Sequence, residues 1–431
     1  MSRPLVANVL ASLVDKGFNM AATFAATALT VRLLPRADYG IVGVVAGYGV
    51  LLQVLNVALE NAILRDHRDY AAHPERFLLN YLVFSVTKAA ALILVGVALA
   101  GALEMIYPRP GFAWAVGSLV VVTIADALVA PLVIYASTQY RQQLVTWVNI
   151  VRFSLNLLLV AGLLLWPSLA YLLVKDVAML FFTVAIWVFV AHRSLRLRFA
   201  TVSIRRHLDI GFMYRAMARQ SIWLHLIGIA NVFMYRADAL FLSFYAPLTV
   251  VGNYNVALTS ANVANVVPGI LGYQNTVAIS RISDARRTFE LTGMFLRVSL
   301  YVGLATLLGF IAFGKLYLQL LTGERDVDTL YGYMLCIVTG LVIAKTLVSP
   351  LISYVNAKGD VCGMFVRVNL PALLVSACTY YLAARLWGAP GVAGANLVNA
   401  LVWVALMLLE MRRYGYGLRA WAGRVTHDAP A

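Results

Sequence analysis

Residues 232–245 read VFMYRADALFLSFY, an apolar stretch that holds two charged side chains, Arg236 and Asp238. A charged side chain near the centre of a bilayer costs about 2.5–3.5 kcal/mol on insertion scales, so such a residue usually pairs or faces water. Residues two apart on a helix point about 200° away from each other and do not pair. Each of these charges therefore needs a partner on another helix, or a ligand.

More charged residues interrupt the apolar segments, and the cations outnumber the acids. The cations are Lys16, Lys88, Arg152, Lys175, Arg236, Arg297, Lys345 and Arg367, and the acids are Asp15, Glu60, Asp126, Asp176 and Asp238. Adjacent charges such as Lys175 and Asp176 are expected to need partners on other helices. The positive excess predicts a hydrated cavity that receives an anion, whose candidate contacts are Lys16, Lys88, Arg152, Arg236 and Arg297. Structural ion pairs, and side chains that reach toward a membrane interface, are the alternative explanations.

Uncharged polar residues recur at helical spacing on four of the apolar segments, so that each set shares one face of its helix. The sets are Gln53, Asn56 and Glu60; Asn149, Arg152 and Asn156; Asn255, Thr259 and Asn262; and Asn396, Asn399 and Trp403. Amide side chains both donate and accept hydrogen bonds, which suits sugar hydroxyls. The candidate sugar contacts are Asn56, Asn255 and Asn262, and Asp126 and Asp238 are candidates for binding a coupling cation. Hydrogen bonds between helices, about 0.6 kcal/mol each, are the alternative for any single Asn.

The elements that must position these residues are long apolar segments. The chain has 431 residues, of which 62% are hydrophobic and only 12% are charged, and its mean hydropathy is +0.82. About 20 apolar residues cross a bilayer as a helix, and such segments recur from end to end. The composition predicts an all-α polytopic membrane protein with about 12 transmembrane helices. The predicted spans are 6–34, 39–64, 78–104, 112–138, 144–166, 168–190, 219–245, 248–280, 291–314, 329–356, 363–387 and 391–412, with a kink at Pro268 and Gly269.

A basic connection divides these spans into two sets of six. Residues 191–218 carry six arginines and one acid, Asp209. The predicted organisation is an N-terminal six-helix lobe at 1–190, a cytoplasmic linker at 191–218, and a C-terminal six-helix lobe with a basic tail at 219–431. Lys and Arg concentrate in alternate loops, which predicts that both termini are cytoplasmic. Similar turns follow the first and seventh spans. Parallel repeats would give this similarity, and chance resemblance between apolar segments is the alternative.

Signatures of the common catalytic sites are missing from the sequence. It contains no GxxxxGK[ST] phosphate loop, no HExxH and no GxSxG, which argues against the corresponding nucleotide, zinc and serine chemistry. The three cysteines lack a CxxC spacing, so neither a metal site nor a cofactor is expected. The net charge of +15 lies in short loops that meet lipid headgroups rather than nucleic acid. The protein is therefore not expected to be an enzyme.

Two stretches of the chain carry a resemblance to a known family. Residues 31–65, VRLLPRADYGIVGVVAGYGVLLQVLNVALENAILR, contain the pair Tyr39 and Gly40 in a short loop and end in Arg65. Residues 236–257, RADALFLSFYAPLTVVGNYNVA, look like the counterpart of this stretch in the second half of the chain, with Asp238 and residues 252–254 at the corresponding positions. Both stretches resemble polysaccharide flippases of the Wzx type, in the multidrug/oligosaccharidyl-lipid/polysaccharide (MOP) exporter superfamily.

The resemblance implies a V-shaped bundle of two lobes in the bacterial cytoplasmic (inner) membrane. Members of this family move undecaprenyl-pyrophosphate-linked oligosaccharides from the cytoplasmic to the outer leaflet by alternating access. Cations in the cavity would hold the pyrophosphate or acidic sugars. The implied partners are the lipid-linked oligosaccharide, membrane lipids and other polysaccharide-assembly proteins. A drug or metabolite exporter of the same superfamily and a membrane polysaccharide polymerase are the alternatives.

Overall fold

The structure is a computed structural model, and the fold it shows is helical. It describes residues 3–55, 74–107, 109–139, 141–197, 207–209, 211, 222–265, 268, 271–272, 275, 279 and 284–415. Within these ranges nine helical segments are long and apolar enough to cross a membrane, and the last of them covers two of the predicted spans. The predicted fold class, an all-α polytopic membrane protein, is confirmed.

The first compact unit comprises residues 1–225 and is organised around one central helix. Its helices are α1 (Arg3–Leu33), α2 (Arg36–Leu55), α3 (Pro74–Ile106), α4 (Phe112–Thr138), α5 (Gln142–Val160) and α6 (Leu169–Arg193). α4 packs against α2, α3, α5 and α6, and α1 packs against α5. Ser168 caps α6, because its side chain accepts a hydrogen bond from the Tyr171 backbone N–H at 3.2 Å. The core includes the fully buried Trp187 and Leu78.

The second compact unit comprises residues 226–431, and its first helix begins just before the boundary. Its helices are α7 (Ile222–Ser243), α8 (Leu248–Ala261), α9 (Ala285–Thr322), α10 (Asp328–Lys358), α11 (Val361–Met364) and α12 (Leu370–Arg412). A π-helical turn, Phe365–Asn369, joins α11 to α12. Gly388, with φ 60° and ψ −144°, breaks α12 into α12a (370–387) and α12b (389–412). Glycine adopts this conformation readily because it has no Cβ.

Corresponding helices make corresponding contacts in the two units. In the first unit α2, α3 and α6 pack on α4, and in the second unit α8, α9 and α12 pack on α10. Two copies of one six-helix repeat would give this pattern. In the second unit the backbones of α10 and α12b are in close contact, because a Cβ on Gly340 would lie 2.9 Å from the carbonyl oxygen of Asn396. Small residues permit such close packing of membrane helices.

Some helix ends differ from the predicted spans. α9 extends over Ala285–Thr322 rather than 291–314. Lys315, which follows the end of the predicted span, therefore lies within a helix, where its ammonium pairs with Asp328 at 2.7 Å. Charged helical turns can persist beyond the apolar segment that predicts a span. α8 gives way to a 3-10 turn at Asn262–Asn265, and the segment around Pro268 and Gly269 lies largely outside the described residues. The predicted lobe boundaries at 190 and 219 stay predictions.

A buried ion pair joins the π-helical turn to the end of α12. The Glu410 side chain is 2% exposed, and Arg367 donates to it from Nε at 2.8 Å and from Nη2 at 2.6 Å. We expect Arg367→Met to lower the free energy of unfolding by about 3 kcal/mol, because a buried carboxylate would lose its main partner. Thermal unfolding of the purified protein measures this loss. The double variant Arg367→Met/Glu410→Met should recover most of it, and equal stability of the two variants would contradict the argument.

Candidate functional site

The polar face of α5 contacts three neighbouring helices within the first unit. The contacts are Asn149 Nδ2 to Asp15 Oδ1 at 3.0 Å, Arg152 Nη2 to Asp126 Oδ1 at 3.3 Å, and Lys175 Nζ to Asn156 Oδ1 at 3.2 Å. These reach α1, α4 and α6 respectively. The spacing of Asn149, Arg152 and Asn156 thus predicted a shared polar face. In the fold, each of these three residues contacts a different neighbouring helix.

The adjacent charges Lys175 and Asp176 have the predicted partners on other helices, and they also form a contact that was not predicted. Each has the predicted partner on another helix, because Lys175 contacts Asn156 and the Ser118 hydroxyl donates to the Asp176 carboxylate. They also pair with each other, with Lys175 Nζ 2.5 Å from Asp176 Oδ1. Both charges are therefore balanced inside the first unit.

Arg152 and Asp126 form a more open pair. The Asp126 side chain is 64% exposed and the Arg152 side chain 22%, and the Arg152 Nε is buried without a hydrogen-bond partner. A guanidinium with an unused donor and an exposed carboxylate partner can exchange that partner for another anion. Of the other candidates in this unit, Lys88 is buried on α3 and has an interacting partner. Lys16 lies in α1, but its side chain and the whole of Asn56 lie outside the described residues.

In the second unit the Asp238 carboxylate is fully buried and joins three helices. It accepts hydrogen bonds from the Tyr254 hydroxyl of α8 at 2.7 Å and from the Ala239 backbone N–H at 2.8 Å. The amide of Asn396 on α12b approaches it at 3.4 Å. These donors satisfy the carboxylate without a cation. Asp238 and Arg236 do not form an ion pair, as their spacing predicts.

The hydrogen-bond network continues from Asp238 toward the centre of the second unit. Asn396 Nδ2 lies 3.0 Å from the Tyr254 hydroxyl, and the Tyr380 hydroxyl donates to Asn396 Oδ1 at 2.9 Å. Beyond Tyr380 lies a cavity of about 20 Å³ whose polar wall includes Tyr235, Asn396 and Asn399, together with Trp403. The predicted set of polar residues on α12b, Asn396, Asn399 and Trp403, therefore faces one cavity.

Lys345 on α10 is the feature of this region that the sequence indicated least. Its Nζ lies 4.5 Å from the ring centre of Tyr235 and 5.9 Å from that of Trp403, both of which line the cavity. The sequence places Lys345 among the cations within spans but gives no reason to select it. Its aromatic neighbours are 110 and 58 positions away in the sequence, so no local pattern reports them.

The remaining candidates of the second unit are Arg236, Asn255, Asn262 and Arg297. Arg236 is half-buried on α7, and within the described ranges it makes no hydrogen bond or ion pair. Asn255 is buried on α8 and has an interacting partner. Asn262 Oδ1 accepts from Asn265 at 3.0 Å, while its own Nδ2 is buried without a partner. Arg297 is exposed on α9, with Nε 3.4 Å from the Gly293 carbonyl. Convergence of these residues on one substrate site stays a prediction.

Comparison with known proteins identifies the fold. No protein-family model and no curated protein matches the sequence. A MATE transporter in a straight conformation is similar with a TM-score of 0.62 at 13% identity, over 98% of this chain and 97% of that chain. The Vibrio cholerae MATE transporter VcmN in a bent form gives 0.58 at 15% identity, over 95% and 96%. The lipid II flippase MurJ, inward closed, gives 0.58 at 14% identity, over 94% and 87%. The chain has the fold of MOP-superfamily transporters.

Proposed function

We propose that this protein is a flippase of the Wzx type that moves an undecaprenyl-pyrophosphate-linked oligosaccharide across the bacterial cytoplasmic membrane by alternating access. The cargo would serve the synthesis of a surface polysaccharide such as O-antigen, capsule or exopolysaccharide. The observation that carries the proposal is the fold shared with a lipid flippase over 94% of this chain. Translocation breaks no covalent bond, so the proposed role is transport rather than catalysis and uses no cofactor.

The distribution of charge favours an anionic cargo over a cationic drug. Arg236, which is half-buried, has no carboxylate within ion-pair distance in the described part of the chain. Asp15, Asp176 and Asp238 are 6%, 6% and 0% exposed, and each carboxylate accepts a hydrogen bond from a neighbouring side chain. The Asp126 carboxylate is exposed, but it is paired with Arg152. An organic cation needs an accessible carboxylate, whereas a pyrophosphate needs free guanidinium or ammonium groups.

In the proposed mechanism the glycan and pyrophosphate pass through a hydrated path while the prenyl tail stays in lipid. Rocking of the two units would expose this path to each side of the membrane in turn. The proposed anion contacts are Lys16, Lys88, Arg152, Arg236 and Arg297, and the proposed sugar contacts are Asn56, Asn255 and Asn262. Arginine suits the first group because its planar donors match two phosphate oxygens at once.

The pair Arg152 and Asp126 suggests how cargo and a coupling cation could be linked. A pyrophosphate oxygen that binds Arg152 would replace the Asp126 carboxylate, which lies 3.3 Å away and is 64% exposed. The released carboxylate would then be free to take up a proton or a metal cation. Asp238 is the second proposed coupling group, and its use would require rearrangement of three hydrogen bonds.

A deletion strain tests the proposed function. We expect loss of the gene to cause a lipid-linked oligosaccharide to accumulate in the cytoplasmic leaflet, and the intact gene to reverse this. Accumulation in the outer leaflet would instead indicate a polymerase. The measurement is extraction of the lipid-linked species, with its leaflet assigned by accessibility to a glycosidase added from outside.

A drug or metabolite exporter is the second candidate, because structures of multidrug resistance MATE transporters share the fold. Expression of the protein in a drug-sensitive host separates the two functions. Resistance to organic cations, together with unchanged lipid-linked intermediates in the deletion strain, would favour the exporter and reject the flippase.

A further inference from the structure

The cavity inside the second unit is lined by hydrogen-bond donors that have no acceptor. The Asn399 amide nitrogen, the Trp403 indole nitrogen and the Tyr235 hydroxyl are each buried without a hydrogen-bond partner, and all three residues line the cavity. The Asn399 oxygen is already used, because it accepts from the Thr379 hydroxyl at 2.6 Å. A buried donor without an acceptor is costly, so the arrangement requires an occupant that accepts hydrogen bonds.

The charge beside the cavity is positive. The Lys345 ammonium lies against the rings of Tyr235 and Trp403, which themselves meet edge to face at 5.9 Å between ring centres. Cation–π contact stabilises the ammonium but does not neutralise it. The one carboxylate of the network, Asp238, is separated from the cavity by Asn396 and already accepts three hydrogen bonds. A half-buried ammonium without a carboxylate within ion-pair distance in the described part of the chain favours a negative occupant nearby.

The size of the cavity restricts that occupant. A volume of about 20 Å³ exceeds the roughly 10–15 Å³ that one water needs. A chloride ion is only slightly larger than water, whereas a phosphate group is several times larger. A single water could accept hydrogen bonds here but would leave the ammonium charge uncompensated.

From the donors, the charge and the volume, we propose that the second unit binds one chloride-sized anion in the cavity lined by Tyr235, Asn399 and Trp403, beside the Lys345 ammonium. This site lies within one unit, is too small for the head group of the proposed cargo, and does not depend on the proposed function. The anion links α7 and α12b, because its hydrogen-bond donors come from these two helices, and it lies next to Lys345 of α10. It balances the charge of Lys345 and so stabilises the packing of the second unit.

Bromide is the probe that tests this site on the full-length protein. Crystals soaked in sodium bromide should show an anomalous peak beside Lys345. In solution, sodium bromide at about tenfold above its Kd should raise Tm by about 1–2 °C relative to sodium gluconate at equal ionic strength. Sodium phosphate, the size control, should give no such rise.

Three variants test whether the stabilisation by bromide arises at this cavity. Lys345→Met keeps the length of the side chain without its charge, and it should weaken bromide affinity by at least about tenfold. Trp403→Phe keeps an aromatic ring but removes the N–H, and it should weaken bromide binding even if Lys345→Met does not fold. Lys315→Met is the matched control, since Lys315 is 54% exposed in a pair with Asp328, and it should keep the full bromide shift.

Several results would overturn the anion site. They are the lack of an anomalous peak at Lys345 in wild-type crystals, an undiminished bromide shift in both Lys345→Met and Trp403→Phe, and equal stabilisation by gluconate or phosphate. A missing anomalous peak would leave a water as the occupant of the cavity. Equal stabilisation by gluconate or phosphate would show a general salt effect.

Discussion

Arg236→Ala is expected to reduce export of the lipid-linked oligosaccharide at least about 100-fold while the protein still inserts into the membrane. Arg236 is half-buried in an apolar helix and makes no ion pair in the described part of the chain, so among the described residues no ion-pair partner depends on it. Loss of two charge-assisted hydrogen bonds to a phosphate, worth together roughly 3 kcal/mol, corresponds to this factor. The measurement compares outer-leaflet oligosaccharide in a complemented deletion strain, with membrane abundance determined by immunoblot.

Two further variants serve as controls for the Arg236→Ala result. Arg236→Lys keeps the charge but loses the planar pair of donors, so we expect an intermediate export rate. Arg325→Ala removes an arginine from the exposed connection between α9 and α10 and should leave export unchanged. Wild-type export by Arg236→Ala would remove Arg236 from the proposed anion contacts. Reduced membrane abundance of that variant would show that its role is structural.

Asp238→Ala is expected to be the most destabilising single change in the polar network, with a loss of about 3 kcal/mol in the free energy of unfolding. The substitution would leave the Tyr254 hydroxyl as a buried donor without its acceptor, and it would remove a buried carboxylate that joins three helices. Thermal unfolding of the purified protein measures the loss. Tyr254→Phe removes one hydrogen bond from the same carboxylate and should cost only about 1 kcal/mol. Equal stability of Asp238→Ala and wild type would contradict the structural role.

Asp238→Asn separates this structural role from the proposed binding of a coupling cation. The amide keeps the shape of the side chain and can still accept a hydrogen bond at Oδ1. We therefore expect the variant to fold, but to lose the dependence of transport on an imposed ion gradient. Transport that still follows the gradient would assign coupling elsewhere, with Asp126 as the next candidate.

The sequence determined the fold class and most helix positions. The fourth predicted span, 112–138, coincides with α4 (Phe112–Thr138), because a long run of apolar residues bounded by polar loops fixes where a membrane helix lies. It did not determine the length of α9, since polar turns carry no hydropathy signal. The gap predicted between the last two spans, 363–387 and 391–412, contains the break in α12 at Gly388.

The sequence also determined which polar residues share a helix face, but only the tertiary structure decided what each of them meets. Helical periodicity put Asn149, Arg152 and Asn156 in one stripe, and Asn396, Asn399 and Trp403 in another. The fold then gave the first stripe partners on three helices and turned the second toward a cavity beside Lys345. Periodicity fixes direction around one helix axis, whereas partners come from helices distant in sequence, whose placement depends on packing throughout a unit.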